Sequence, residues 1–221
     1  MLQLLHTEKE VISMLREILM ERYEYNEPIF LSELEIDGLS NNALRQAINR
    51  LKESGFLQRF DQGIYYIPDP NRLLCTPYLD PELVMKRKYI ENKRTVMGYL
   101  TGISFANYIG LTTQNPGILE LVSNCESSKG REVTLGNLKL RIKKPITEIT
   151  EQNAKILQLL DGISQAHQYS ELSEQETIEC INHYVKQQKF TREQLNSVSS
   201  YITPSTAKKL IEWGTIYEFA S

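Results

Sequence analysis

The chain has 221 residues, 41% of them hydrophobic and 24% charged, with a formal net charge of −3, which excludes collagenous and compositionally disordered chains. No run approaches the ~20 apolar residues of a membrane span, and the start MLQLLHTEKEVISM has no basic segment leading into an apolar one, so a soluble, cytoplasmic protein without membrane attachment is expected. Cys75, Cys125 and Cys180 form no CxxC pair, which argues against a disulfide framework and a zinc knuckle, and a pI near 5.8 weighs against a nucleic-acid partner when the chain is taken whole.

Thr7 and Glu10 have the T-x-x-E form of a capping box and open a helix with Val11, Leu15 and Ile18 on its apolar face. Pro28 then introduces the short apolar run Ile29-Phe30-Leu31. Ser32 is placed to cap a second, short helix to about Ile36, stopped by Asp37-Gly38. Ser40 caps a third helix that runs to Ser54, with Gly55 at its end. In that helix Ala43, Leu44, Ala47, Ile48 and Leu51 make the inward stripe. Asn42, Arg45, Gln46 and Asn49 lie at i, i+3, i+4 and i+7 and share the opposite face. Arg pairs with guanine, and Asn or Gln with adenine, at major-groove edges, so these side-chain types suit base reading.

Two β-rich runs, Phe56 to Phe60 and Ile64 to Ile67, flank Asp61-Gln62-Gly63 and read as a hairpin. Three helices followed by a hairpin is the order of a winged helix-turn-helix. The expected DNA contacts are Asn41, Asn42, Arg45, Gln46, Asn49, Arg50 and Lys52 on the recognition helix, and Arg59, Gln62 and Tyr65 on the wing. Pro68-Asp69-Pro70 closes this module at about residue 71. Charge resolved by segment reverses the meaning of the acidic pI. Residues 1–71 hold 7 Lys/Arg against 12 Asp/Glu, a net of −5, yet residues 41–60 hold Arg45, Arg50, Lys52 and Arg59 against Glu53 alone, a net of +3. Four cations neutralise few phosphates, so weak non-specific affinity and paired operator sites are expected.

Residues 72–94 carry six Lys/Arg against three Asp/Glu and read as a solvated helix after Asp80-Pro81. A short helix capped by Ser104 and stopped by Gly110 follows. Gly98 and Gly102 make no phosphate loop, because no Gly-Lys-Ser/Thr follows them. Ile118 to Val122 is a strand, and Glu132 to Leu135 and Leu138 to Ile142 form a hairpin about Gly136-Asn137. From Thr150 helical periodicity returns, with Ala154, Leu157 and Leu160 on one face and Asp161-Gly162 as its stop. Ser173/Glu176 and Thr191/Gln194 are capping boxes for two more helices, and Pro204 and Gly214 bracket the last.

The predicted fold class is therefore α+β. An N-terminal winged helix-turn-helix over 1–71 precedes a C-terminal α+β domain over 72–221, with a small antiparallel sheet within 72–162 and a helical tail over 163–221.

The segments Gly63-Ile64-Tyr65-Tyr66-Ile67-Pro68, Gly110-Leu111-Thr112-Thr113-Gln114-x-Pro116, Arg131-Glu132-Val133, Lys139-Leu140-Arg141 and Leu157-Gln158-Leu159-Leu160-Asp161 resemble the AbiEi-type antitoxins of type IV toxin–antitoxin systems. The resemblance extends to about residue 162. It implies a bacterial abortive-infection (phage-defence) protein whose winged helix represses its own promoter at inverted repeats, as a monomer or weak dimer paired on double-stranded DNA. Its C-terminal domain is implied to counter a nucleotidyltransferase-like toxin without a stable complex. The DNA-reading face carries over onto Asn42, Arg45, Gln46 and Asn49, and Thr112, Thr113 and Gln114 offer a possible antitoxin surface.

No catalytic constellation, metal site or cofactor motif is expected. His6, His167 and His183 are far apart in sequence, and Cys180-x-x-His183 is a lone pair. Two other readings fit the same order of elements. One is a one-component repressor whose C-terminal domain binds a small effector. The other is a nuclease-like C-terminal domain using Glu132, Lys139 and Lys143.

Overall fold

A computed structural model describes residues 8–71 and 79–220. Thr7 of the first capping box, His6, Arg72 and Cys75 lie outside the described residues. The chain divides into two compact units, one ending at Val84 and the other beginning at Met85, rather than at residue 71. Eight α-helices and two small sheets are present among the described residues, an α+β architecture.

In the first unit, α1 (Glu8–Arg22) buries Leu15 and Leu19, one turn apart, against a core shared with Ile29, Ile48, Leu51 and Leu57. The helix expected from Ser32 does not form. Leu31–Glu33 is a single 3₁₀ turn, because the chain before it is drawn into a strand, β1 (Ile29–Phe30), and the Leu31 amide donates to the Gly63 carbonyl at 2.9 Å. The next helix, α2 (Asn41–Glu53), starts where its cap dictates: Ser40 Oγ accepts from the Ala43 amide at 3.3 Å. Leu44, Ala47, Ile48 and Leu51 are buried, and Gly55 takes the left-handed conformation (φ +78°) just past the C-cap Ser54.

The strands β2 (Gln58–Asp61) and β3 (Ile64–Tyr66) form an antiparallel hairpin, and β1 adds to the far edge of β3, giving the order β1-β3-β2. Asp61 pairs with Ile64, so it belongs to the strand and the connecting loop is Gln62-Gly63 alone. The register shifts between Arg59 and Asp61, a bulge that admits the extra residue.

In the second unit, α3 (Pro81–Met85), which begins just ahead of the division, runs into a π-helical segment, Lys86–Ile90. The sheet consists of β4 (Gly98–Thr101), β5 (Leu119–Ser123), β6 (Arg131–Leu135) and β7 (Leu138–Lys143) in the order β4-β5-β7-β6. The β6–β7 hairpin folds back with β7 inside, so β7 runs parallel to β5, and the sheet expected to be antiparallel is mixed. The helix α4 (Gly102–Tyr108) leaves β4 directly, with Thr101 rather than Ser104 as N-cap and Gly102 making the corner at φ +63°.

The helix α5 (Ala154–Tyr169) runs straight through Asp161-Gly162. Gly162 is there for closeness: a Cβ at this position would clash with Cε1 of the buried Phe105 ring. The helices α6 (Glu174–Gln188), α7 (Arg192–Ser197) and α8 (Pro204–Glu212) follow, and both predicted capping boxes are formed. Phe105, Leu160, Ile163, Ile181, Val185, Leu210 and Trp213 share one core, so the helices after residue 162 continue the same packing layer instead of forming a detached tail.

Candidate functional site

The polar face of α2 is built by contrast. The inward stripe fixes the helix roll, and Asn41, Asn42, Arg45, Gln46, Asn49, Arg50 and Lys52 are all left exposed. Arg50 bonds Glu53 at 3.2 Å across the solvent face, a weak pair that leaves both side chains more than half exposed. Arg50 and Lys52 occupy the last turn, where cations suit the helix dipole. On the hairpin, Arg59 Nε donates to the Asp61 carbonyl at 3.2 Å and steadies the bulge, while Gln62 stands exposed at the tip with its amide donating to Asp61 Oδ1 at 2.7 Å.

Tyr65 corrects the expectation for the wing. It is 7% exposed and belongs to the core of the first unit, because β3 is the central strand and all three of its residues are buried. Tyr65 is a packing residue.

Thr112, Thr113 and Gln114 converge on one carboxylate. Glu171 Oε2 accepts from Thr112 Oγ1 at 2.7 Å and from the Thr113 amide at 2.8 Å, and Oε1 accepts from Gln114 Nε2 at 2.8 Å. The Glu171 amide donates back to the Leu111 carbonyl at 2.9 Å. The Thr112 hydroxyl, then the Gln114 amide and the Thr113 N–H, hold the Glu171 carboxyl down to about 2. The possible antitoxin surface is thus a clasp between two loops: Thr112 is itself buried, and the polar groups of Thr113 and Gln114 are turned onto Glu171.

One face of the C-terminal sheet carries a charge ladder set by strand register. Glu120 lies opposite Arg141, which lies opposite Glu132. Arg141 bonds Glu120 at 3.0 Å and Glu132 at 2.7 Å, and Lys143 Nζ bonds Glu120 Oε2 at 2.8 Å. Burial pushes the Glu120 carboxyl up, but hydrogen bonds and charge from Lys143 and then Arg141 outweigh it and hold the group below its ordinary value. Of the residues in the nuclease-like reading, Glu132 is thus paired with Arg141 and Lys143 with Glu120. No group of three or more His, Cys, Asp or Glu side chains among the described residues is arranged to hold a metal ion. Cys180 Sγ donates to the Ile109 carbonyl at 2.8 Å, and His167 packs edge-on against Trp213.

Beside the ladder, Asp161 of α5 takes hydrogen bonds from Tyr99 Oη at 3.1 Å and Thr101 Oγ1 at 3.3 Å, both on Oδ2. Burial raises the Asp161 carboxyl above its ordinary value against the opposing effect of those bonds and of Lys143. Burial, and next the charge of Asp161, raise the Tyr99 phenol as well. Asp161, Tyr99 and Gln165 line a cavity of about 240 Å³. A groove of about 510 Å³, lined by Lys129, Arg131 and Arg141, adjoins it, and Lys143 and Lys144 belong to both.

A family model for DUF6088, a family of unknown function, matches residues 24–193, most of the chain and part of both units. The chain belongs to the DUF6088 family. No curated protein matches it. The match runs from the loop after α1 into the first turn of α7, so the α2 face, the Glu171 clasp and the charge ladder all lie within the part characteristic of DUF6088, whereas α8 lies beyond it.

From sequence, Asp161 and Glu151 can be paired as two carboxylates, but a helix C-terminal position accounts for Asp161, and Gln165 carries no signal. Asp161-Gly162 has the look of a helix stop. The signal that identifies Asp161 is its place among Leu157, Leu160 and Ile163, where a carboxylate interrupts an otherwise apolar pattern.

Proposed function

We propose that this DUF6088 protein is a transcriptional autorepressor and antitoxin of a type IV toxin–antitoxin system. The first unit reads inverted repeats in its own promoter, and the second opposes a nucleotidyltransferase-like toxin. The observation that carries the DNA-binding half is the exposed, amide-rich and basic face of α2, held at a fixed roll by four buried residues on its other side. The order α1, β1, 3₁₀ turn, α2, β2, β3, with β1 against β3, fits a winged helix in which Leu31–Glu33 replaces the second helix and α2 reads the major groove. Arg45, Gln46 and Asn49 are assigned to base edges, Arg50 and Lys52 to phosphates, and Arg59 and Gln62 to the backbone beside the wing. The antitoxin half rests on the AbiEi resemblance of the segments that build the C-terminal sheet and the Glu171 clasp. The protein acts by binding, with no catalytic step assigned to it.

Footprinting on the protein's own promoter tests the reading. Two protected half-sites are expected about 10–10.5 base pairs apart, or a multiple of that spacing. Arg45→Ala is expected to weaken protection about tenfold or more. Cells carrying Arg45→Ala should lose repression yet remain protected from the toxin encoded alongside. Unchanged protection of the promoter by Arg45→Ala sinks the recognition-helix assignment, and joint loss of repression and immunity sinks the division of labour between the units.

A further inference from the structure

We infer that the C-terminal unit holds a site for a mononucleotide, with the base in the cavity beside Asp161 and the phosphate on the lysines of the adjoining groove. The site lies wholly within the second unit and does not depend on the DNA-binding reading.

Two residues that line the cavity carry acceptors that lack donors among the described residues. Leu157, Asp161 and Gln165 follow one another at intervals of four residues on α5, which puts them on one stripe of the helix, and all three line the cavity. Both hydrogen bonds to Asp161 fall on Oδ2, and no group among the described residues donates to Oδ1. One turn further on, Gln165 Oε1 is buried and meets no partner among the described residues. An orphaned buried acceptor is a standing cost that a ligand with N–H donors removes.

The walls set the rest of the ligand. Val122, Leu157 and Ile202 give the cavity apolar sides, and its volume of about 240 Å³ suits one heterocycle rather than a larger body. Anionic groups are provided for next door. Lys143 and Lys144 line both the cavity and the groove. Lys143 is committed to Glu120 at 2.8 Å, whereas Lys144 is exposed and has no ion-pair partner among the described residues. A ligand with amino donors on a flat apolar body and a phosphate one sugar away matches this layout. Adenine, guanine and cytosine carry an exocyclic amino group with two N–H donors, whereas uracil offers one ring N–H flanked by two carbonyls that face acceptors unfavourably, so uracil is expected to bind less well.

Calorimetric titration of the full chain with AMP, GMP, CMP, UMP, the corresponding nucleosides and inorganic phosphate tests the site. At least one amino-bearing nucleotide is expected to bind one-to-one, with UMP about tenfold weaker or worse. Lys144→Gln changes an exposed side chain and should weaken the nucleotide about fivefold while leaving the nucleoside unchanged. Gln165→Leu keeps the bulk without the acceptor and should weaken nucleotide and nucleoside alike. Asp161→Asn should do so more strongly, with its melting curve reporting whether the fold is kept. Absence of nucleotide binding at ~1 mM overturns the proposal. So does binding that inorganic phosphate reproduces in full, or binding that both Lys144→Gln and Gln165→Leu leave untouched.

Discussion

The Thr112 hydroxyl donates to Glu171 Oε2 at 2.7 Å across 59 residues of sequence and ties the loop after α4 to the loop before α6. Three further donors from Thr113 and Gln114 complete the clasp, and together they favour the charged carboxylate. A carboxyl held at about 2 in the fold and titrating near 4.5 when unfolded stabilises the fold fully above pH 4.5, and loses that contribution as pH falls toward 2. Glu171→Gln is therefore expected to melt below the wild type at pH 6, with the difference narrowing steadily below pH 4.5. Thermal melts of both proteins between pH 3 and 7 check this, and a difference independent of pH contradicts it.

Gly162 and Phe105 set a second expectation, in which two effects oppose each other. Alanine is intrinsically the better helix former by about 1 kcal/mol, so Gly162→Ala in a solvated helix would stabilise. Here the new Cβ clashes with Cε1 of Phe105, and that ring is 1% exposed. Overpacking of this kind costs about 1–3 kcal/mol and wins. Urea unfolding should show Gly162→Ala to be less stable than the wild type, and the same substitution in a Phe105→Leu background to be neutral or stabilising.

Local chemistry was legible in the sequence and tertiary competition was not. Ser40, Ser173 and Thr191 cap helices where their spacing to the following apolar stripe says they should, because a cap needs only residues within one turn. The hairpin at Gly136-Asn137 was visible for the same reason. Ser32 failed as a cap because a distant strand partner, Ile64 and Tyr65 of β3, claimed Phe30 and Ile29 first. Asp161-Gly162 failed as a stop because Phe105 requires a glycine inside the helix, and β7 runs parallel to β5 because it inserts between β5 and β6. At the candidate sites the pattern held for the α2 face, whose roll follows from periodicity. It broke at Tyr65, where an alternating strand reads as half exposed but β3 is the central strand and all three of its residues are buried.

Helix capping gives the third expectation. Ser173 Oγ accepts from the Glu176 amide at 3.3 Å while Glu176 Oε2 accepts from the Ser173 amide at 2.9 Å, so each residue satisfies a donor that the first turn of α6 leaves open. Ser173→Ala should cost about 0.5–2 kcal/mol in urea unfolding, and Ser173→Asp, which keeps an acceptor, should recover most of it. A loss equal in both variants would place the contribution of Ser173 elsewhere than in the cap.

In the proposed reading, Arg45 is assigned to base edges and Lys52 to phosphates of the same DNA site, which gives a fourth expectation. Arg45 stands in the middle of the exposed α2 face beside Gln46 and Asn49, whereas Lys52 is in the last turn next to Ser54. Removing a phosphate contact weakens every sequence alike and lowers the dependence of affinity on salt, while removing a base contact lowers only the preference for the operator. Lys52→Gln should therefore reduce the slope of log affinity against log salt by about 1 with the operator-to-random ratio unchanged. Arg45→Ala should leave non-specific affinity close to the wild type and shrink that ratio about tenfold or more. Anisotropy titrations with operator and scrambled duplexes at several salt concentrations measure both quantities. With only four cations between residues 41 and 60, the wild-type slope itself should stay at a few log units or less. A steep slope would require a second basic surface on the DNA, for which Lys86, Arg87 and Lys88 are the place to look.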